Sequence, residues 1–274
     1  MPTEGLPVGL RRSLMSGLAL APAGANVVMQ LSRLEVGRGV AESRVQSGAL
    51  TAHPIKRTRT TLGYLVVSLL GDEDMRAYLR KEVNRSHRDV HSREGDDVAY
   101  DAFDADLQVW VAACMYQGAR EAVALMGGPL SESDADELYR HCARFATTLQ
   151  VTPSQWPPDR DAFEEYWRGA VSRIAMDDVT RSYLRRFVRL SFLPRALSVW
   201  LGPLHEFLTA GFLPPVFREE LGLSWSPRRQ RVFGILSGCS VRIHRALPRV
   251  LGEFPLNLAW WDAQRRYRSG RNLV

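Results

Sequence analysis

Apolar residues in this chain recur at intervals of three and four over most of its length, and no stretch alternates apolar with polar residues as a half-buried strand would. That periodicity restricts the fold to the all-α class. Leu62, Leu65, Val66 and Leu69 share one face of a segment that Gly71 terminates. Asp72 then caps a second helix carrying Met75, Tyr78, Leu79, Val83 and Ser86, and the same spacing extends the stripe to His87, whose side chain is expected to point inward. A longer helix is expected from Asp106 to Met126 with Trp110, Val111, Cys114 and Ala122, and Ser131-Glu132-Ser133-Asp134 opens another with acids in its first turn. Residues 153–161 contain three Pro and read as a loop, followed by helices at about 161–175, 177–190, 193–210, 227–245 and 255–268. Leu213-Pro214-Pro215 and Trp225-Ser226-Pro227 punctuate the last third without a long polar linker, so one continuous helical domain over 14–268 with an N-terminal extension, 1–13, is the simplest organisation.

A chain of 274 residues buries a substantial core without needing a metal or disulfide merely to fold. No uncharged apolar run approaches the roughly 18 residues of a transmembrane segment. The net charge of +6 rests on 34 Arg and only two Lys, Lys56 and Lys81, a bias that suits GC-rich coding. Local concentrations occur at Arg185-Arg186, Arg228-Arg229-Gln230-Arg231 and Arg265-Arg266, but no reader motif or aromatic-interleaved basic patch accompanies them, so no nucleic acid is expected as partner. Cys114, Cys142 and Cys239 are far apart in the sequence, odd in number and embedded in apolar helical patterns, which reads as three buried thiols in a reducing compartment. Arg11-Arg12-Ser13-Leu14 resembles the start of a twin-arginine export signal. The apolar portion is short, broken by Ser16, Gly17 and Pro22, and continues into ordinary helix at Ala25–Leu31, which favours a cytoplasmic protein.

The residues with chemistry to offer are His87 and, about thirty positions earlier, the string Arg57-Thr58-Arg59-Thr60-Thr61. A histidine late on one helix, facing another that opens with Arg and Thr, can hold a haem iron with a polar group above it. The bland alternative is a core histidine satisfied by its neighbours, with Arg57 and Arg59 decorating a helix start. His87 and His91 are four apart, the spacing of a two-histidine metal site, but Arg88, Asp89 and Val90 between them lack the glutamate of the zincin pattern, and Gly95 suggests that the helix ends by His91. His53, His141, His205 and His244 read as structural or surface groups, and Trp260-Trp261 as core or an interaction surface.

Several strings together resemble the oxygenase MpaB-like family, which includes the catalytic domain of rubber oxygenase (latex-clearing protein). They are Val28-Met29-Gln30-Leu31 leading to Gly39-Val40-Ala41-Glu42-Ser43, Arg57 with Thr61 after Pro54, Gly71-Asp72, His87 with Val90, and Tyr100-Asp101-Ala102-Phe103-Asp104 running on to Trp110-Val111. Leu213-Pro214-Pro215, Arg218-Glu219, Leu221-Gly222-Leu223, Trp225-Ser226 and Leu247-Pro248 extend the similarity, which spans about 14–260. Each string is weak alone; their order and spacing are specific.

The resemblance implies a helical, globin-like core binding haem b through its iron, with His87 as proximal ligand and Arg57 and Thr61 on the opposite side. In that setting Arg57 would meet a propionate or an oxygen species, and Thr61 would donate a hydrogen bond. In rubber oxygenase the residue before the final Thr can be an iron-ligating Lys; here it is Thr60, which implies a five-coordinate iron or water in the sixth place. The family's acidic base maps onto Glu42. The expected activity is oxidation of an apolar or aromatic small molecule by O2 or peroxide. A haem-holding or haem-sensing protein without turnover, a cofactor-free helical scaffold and a non-haem metal enzyme using His87 and His91 remain the alternatives, and the oligomeric state is not legible.

Overall fold

The computed structural model describes residues 6–43 and 54–273. Its helices are α1 (Val8–Leu14), α2 (Ala23–Leu31), α3 (Leu34–Ala41), α4 (Pro54–Leu70), α5 (Glu73–His87), α6 (Ala105–Gly127), α7 (Glu132–Cys142), α8 (Arg144–Thr147), α9 (Arg160–Val171), α10 (Asp178–Val188), α11 (Arg195–Phe212), α12 (Pro215–Leu221), α13 (Pro227–Ala246), α14 (Arg249–Gly252) and α15 (Leu256–Arg268). A single 3-10 turn, Gly17–Leu20, joins α1 to α2. The described residues contain no strand; a lone bridge pairs His91 with Asp101.

The capping chemistry acts where the sequence places it. Gly71 follows the end of α4, and the Asp72 carboxylate accepts from the Met75 amide at 2.8 Å to start α5. Ser131 does the same for α7, accepting from the Asp134 amide at 3.1 Å. The Pro-rich loop ends at Asp159, whose side chain caps α9. Among the described residues five short helices escape the periodicity: α8 and α14 have four residues each, α1 and α12 seven and α3 eight, too few to display a repeat. Pro215, which reads as punctuation, starts α12 at a first-turn position where a missing N–H costs nothing.

α6 runs through the middle and buries eleven of its 23 residues. Alanines at 112, 113, 119 and 122 let neighbouring helices approach it closely. At Gly118 a Cβ would lie 2.5 Å from the Asn26 amide nitrogen, so a larger residue there would push the Asn26 side chain of α2 aside. Asn26 uses that closeness to donate to the Cys114 carbonyl. Trp110 is fully buried, donates its ring N–H to the Gln30 carbonyl at 2.9 Å and stacks on Trp167 at 5.3 Å. Leu6 and Leu10, ahead of residue 14, are buried in the same apolar cluster as Leu14, Val109 and Tyr116. No single helix is long and apolar enough to cross a membrane.

α4 and α5 form an antiparallel hairpin that carries the candidate site. α15 and α8 both pack against α4, and Val66, Val67, Leu79 and Val83 share a core cluster with Leu256, Ala263 and Leu273 from the C-terminal part. Arg57 and His87 lie at comparable distances from the Gly71-Asp72 turn, roughly 21–24 Å at 1.5 Å per residue. They therefore sit together at the open end of the hairpin.

Candidate functional site

His87 is the last residue of α5, so the helix stops before it could carry His91 onto the same face. Burial, with the Arg57 guanidinium adding to it, pushes the His87 imidazole down to about 4. The ring is therefore neutral at ordinary pH and keeps a lone pair for a Lewis acid. It meets Phe103 edge to face at 6.5 Å, and no described residue hydrogen-bonds either ring nitrogen.

Arg57 has exposed surface, yet protein crowds it enough for burial to lower its pKa, with Tyr183 of α10 opposing. Tyr183 is half-buried, its hydroxyl pushed up by burial while Arg57 and Arg186 oppose. Three helices thus converge: α4 supplies a cation, α5 a neutral imidazole and α10 a phenol. Tyr183 carries no sequence signal of its own, because only tertiary packing brings α10 to this end of the hairpin.

Thr61 is exposed one turn beyond Arg57, on the same side of α4 by the four-residue spacing. Thr60 donates its hydroxyl to the Arg57 carbonyl at 2.9 Å, which turns it back onto its own helix. Two buried polar atoms close to this end, Arg59 Nε on α4 and Asn84 Oδ1 on α5, have no hydrogen-bond partner among the described residues. Asn84 precedes His87 by three positions and shares its side of α5.

Glu42 lies elsewhere. It follows α3, is exposed, and accepts from Arg38 at 2.5 Å. It lines a separate hollow of about 300 Å³ with Tyr100 and the loop at Gly95, Asp96 and Asp97. No hydrogen bond, ion pair or ring contact among the described residues joins it to Arg57, Thr61 or His87. A second cleft, of about 460 Å³, lies among Arg181, Arg185, Arg186 and Arg189 of α10.

The other histidines are tied into helix packing. His141 is buried with Nε2 at 2.7 Å from the Leu69 carbonyl, His205 Nδ1 meets the Val188 carbonyl at 2.8 Å, and His244 Nε2 meets the Ser16 hydroxyl at 3.0 Å. His53 lies outside the described residues. His91 is exposed and Nδ1 is 3.0 Å from the Ser92 carbonyl, and no group of three or more His, Cys, Asp or Glu among the described residues is placed to hold a metal. Cys114 and Cys142 are buried as expected, but Cys239 is exposed, because α13 is apolar on its outer side as well as its inner one.

The family model described as "ER-bound oxygenase mpaB/B'/Rubber oxygenase, catalytic domain" matches residues 10–246. Uncharacterized protein Rv2237 of Mycobacterium tuberculosis and Uncharacterized protein Mb2261 of Mycobacterium bovis are each 43% identical over 255 residues, covering 93% of this chain and 100% of each relative. No solved structure matches. The order of the strings around Arg57 and His87, the all-helical fold and this match over most of the length lead to one assignment: the chain belongs to the family of mpaB and rubber oxygenase catalytic domains.

Proposed function

We propose that the protein is a haem b-dependent oxygenase or peroxygenase, with a globin-like core, that oxidises an apolar or aromatic small molecule in the cytoplasm. The observation that carries this reading is the neutral His87 imidazole facing the Arg57 guanidinium at the open end of the α4/α5 hairpin. The residues present fit the group. His87 offers a neutral nitrogen, Arg57 is a cation suited to a carboxylate, and Arg59 Nε and Asn84 Oδ1 are buried polar atoms without partners. Haem, when bound, would supply the oxidising chemistry.

The chain's own contribution is positional. His87 would hold the iron, and its depressed pKa keeps the nitrogen available well into mildly acidic conditions. Arg57 would orient a carboxylate or a polarised oxygen, and Thr61, one turn along, would add a hydroxyl donor to the same space. Phe103 packs edge to face against the ring.

Glu42, engaged with Arg38 away from this site, favours a second reading in which the protein holds haem without turnover. An absorption spectrum of wild type beside His87→Ala, both expressed with added haem, tests the first step. A near-stoichiometric Soret band lost or shifted in the variant is expected. A wild type without the band would overturn both readings and leave the helical scaffold. Product formation from candidate apolar substrates with O2 or peroxide then separates oxygenase from carrier.

A further inference from the structure

α13 presents apolar side chains on two opposite sides. Phe233, Ser237, Val241 and His244 recur at helical spacing and turn inward, with Phe233 packed against Phe207 and Phe212 of α11. Val232, Ile235, Leu236, Cys239 and Ile243 form a second stripe, within an arc of about 100°, and all five are exposed, Ile235 at 66% and Ile243 at 65%. The exposure continues along the chain through Leu247, Val250, Leu251, Phe254 and Leu258. On α11, Leu197, Trp200, Leu201 and Leu204 repeat the pattern. Ordinary water-facing helices do not carry such stripes, and an exposed apolar helix face of this kind marks a site that something covers.

The charge says what covers it. From Trp225 to Arg271 the chain has ten Arg and two acids, Glu253 and Asp262, whereas the whole chain's net charge is +6, so the remainder is slightly acidic. By helical position Arg228 stands at the N-terminal end of the outer stripe of α13 and Arg231 and Arg242 along one edge of it, and all three are exposed. A second copy packed on this stripe by two-fold symmetry would bring like-charged surfaces together. A nucleic acid would take the Arg but leaves the Ile, Leu, Val and Phe uncovered. An apolar stripe edged by Arg is what lies in the interface of an anionic bilayer.

We propose that the α13–α15 segment docks the protein on the anionic surface of a lipid membrane, with the outer stripe of α13 seated at the acyl boundary. This stands independently of the haem reading. Cys239 lies on the stripe and is exposed while Cys114 and Cys142 are buried, so a polarity-sensitive thiol dye on the full-length protein reports from that face.

The experiment adds phosphatidylcholine vesicles, with and without phosphatidylglycerol, to labelled protein and measures dye emission and co-sedimentation. Expected are a blue shift and sedimentation with the anionic vesicles only, both weakening as salt is raised. Ile235→Asp with Ile243→Asp, two exposed positions, is expected to lower vesicle affinity by roughly tenfold or more with unchanged helicity and melting temperature. Replacing Arg228, Arg231 and Arg242 by Gln should do likewise. No binding to anionic vesicles at low salt overturns the proposal. So does binding that ignores the Asp pair, a dimer in light scattering that the Asp pair dissociates while vesicles remain unbound, or duplex DNA bound where vesicles are not.

Discussion

At the scale of single residues, the pairing of His87 with Arg57 sets the properties of the site. A guanidinium near a neutral imidazole disfavours its protonation, and burial works in the same direction. Replacing Arg57 by Met should therefore raise the His87 pKa in the haem-free protein, seen as an upfield-to-downfield imidazole titration moved to higher pH by NMR. An unmoved titration would separate the two residues. His141 gives a second prediction. Its folded pKa is pushed down to about 4 by burial, with Arg144 adding to this, against an ordinary 6.5. Below pH 6.5 the unfolded chain takes up a proton that the folded one refuses, so stability is fullest above 6.5 and declines as pH falls towards 4. Removing that site should flatten the decline. Melting temperatures of His141→Gln, which retains a donor for the Leu69 carbonyl, should fall less steeply between pH 6.5 and 4 than those of wild type; parallel slopes would assign the acid sensitivity elsewhere.

At the scale of elements, the α4/α5 hairpin makes the site, and its turn makes the hairpin. The Asp72 carboxylate satisfies one orphan amide of α5, so Asp72→Ala should cost about 1 kcal/mol, read as a lower urea midpoint with an unchanged slope. This part was legible in the sequence because caps, glycine stops and apolar spacing act over a few residues. From Gly71 and Asp72 the two helices follow, and from their similar lengths the meeting of Arg57 with His87 follows too. Tyr183 was not legible, since no local pattern announces which residue of α10 will face α4. Glu42 followed from the resemblance alone, and its ion pair with Arg38 depends on where α3 ends. Cys239 shows a further limit: periodicity reveals that a helix face is apolar but not whether the protein itself covers it. The four-residue helices α8 and α14, the seven-residue α1 and α12 and the eight-residue α3 span about one to two turns, too short for a period to be read.

At the scale of the whole molecule, described residues towards both termini pack against the hairpin and its neighbours. A Cβ on Gly17, in the 3-10 turn, would lie 2.2 Å from the Phe254 carbonyl oxygen, so the N-terminal turn and the α14–α15 junction touch backbone to side-chain position. Leu273 is buried with Val66 and Val83, and its amide donates to the buried Glu82 carboxylate at 2.8 Å. Glu82 is on α5, five residues before His87, and its other carboxylate oxygen accepts from Arg85 at 3.2 Å. The C-terminal tail therefore supports the helix that presents the imidazole. Ending the chain at Arg271 removes an apolar side chain from that cluster and leaves a buried carboxylate short of a donor, at a cost of about 2–4 kcal/mol. Gly17→Ala, by contrast, forces the far seam apart, at about 1–3 kcal/mol. If the helices form one cooperative unit, both variants unfold in a single transition at lower temperature by calorimetry. On the proposed haem reading, only the truncation should also weaken haem uptake, since it alone loosens α5. A truncated chain that takes up haem as tightly as wild type would show that α5 holds its end without the tail.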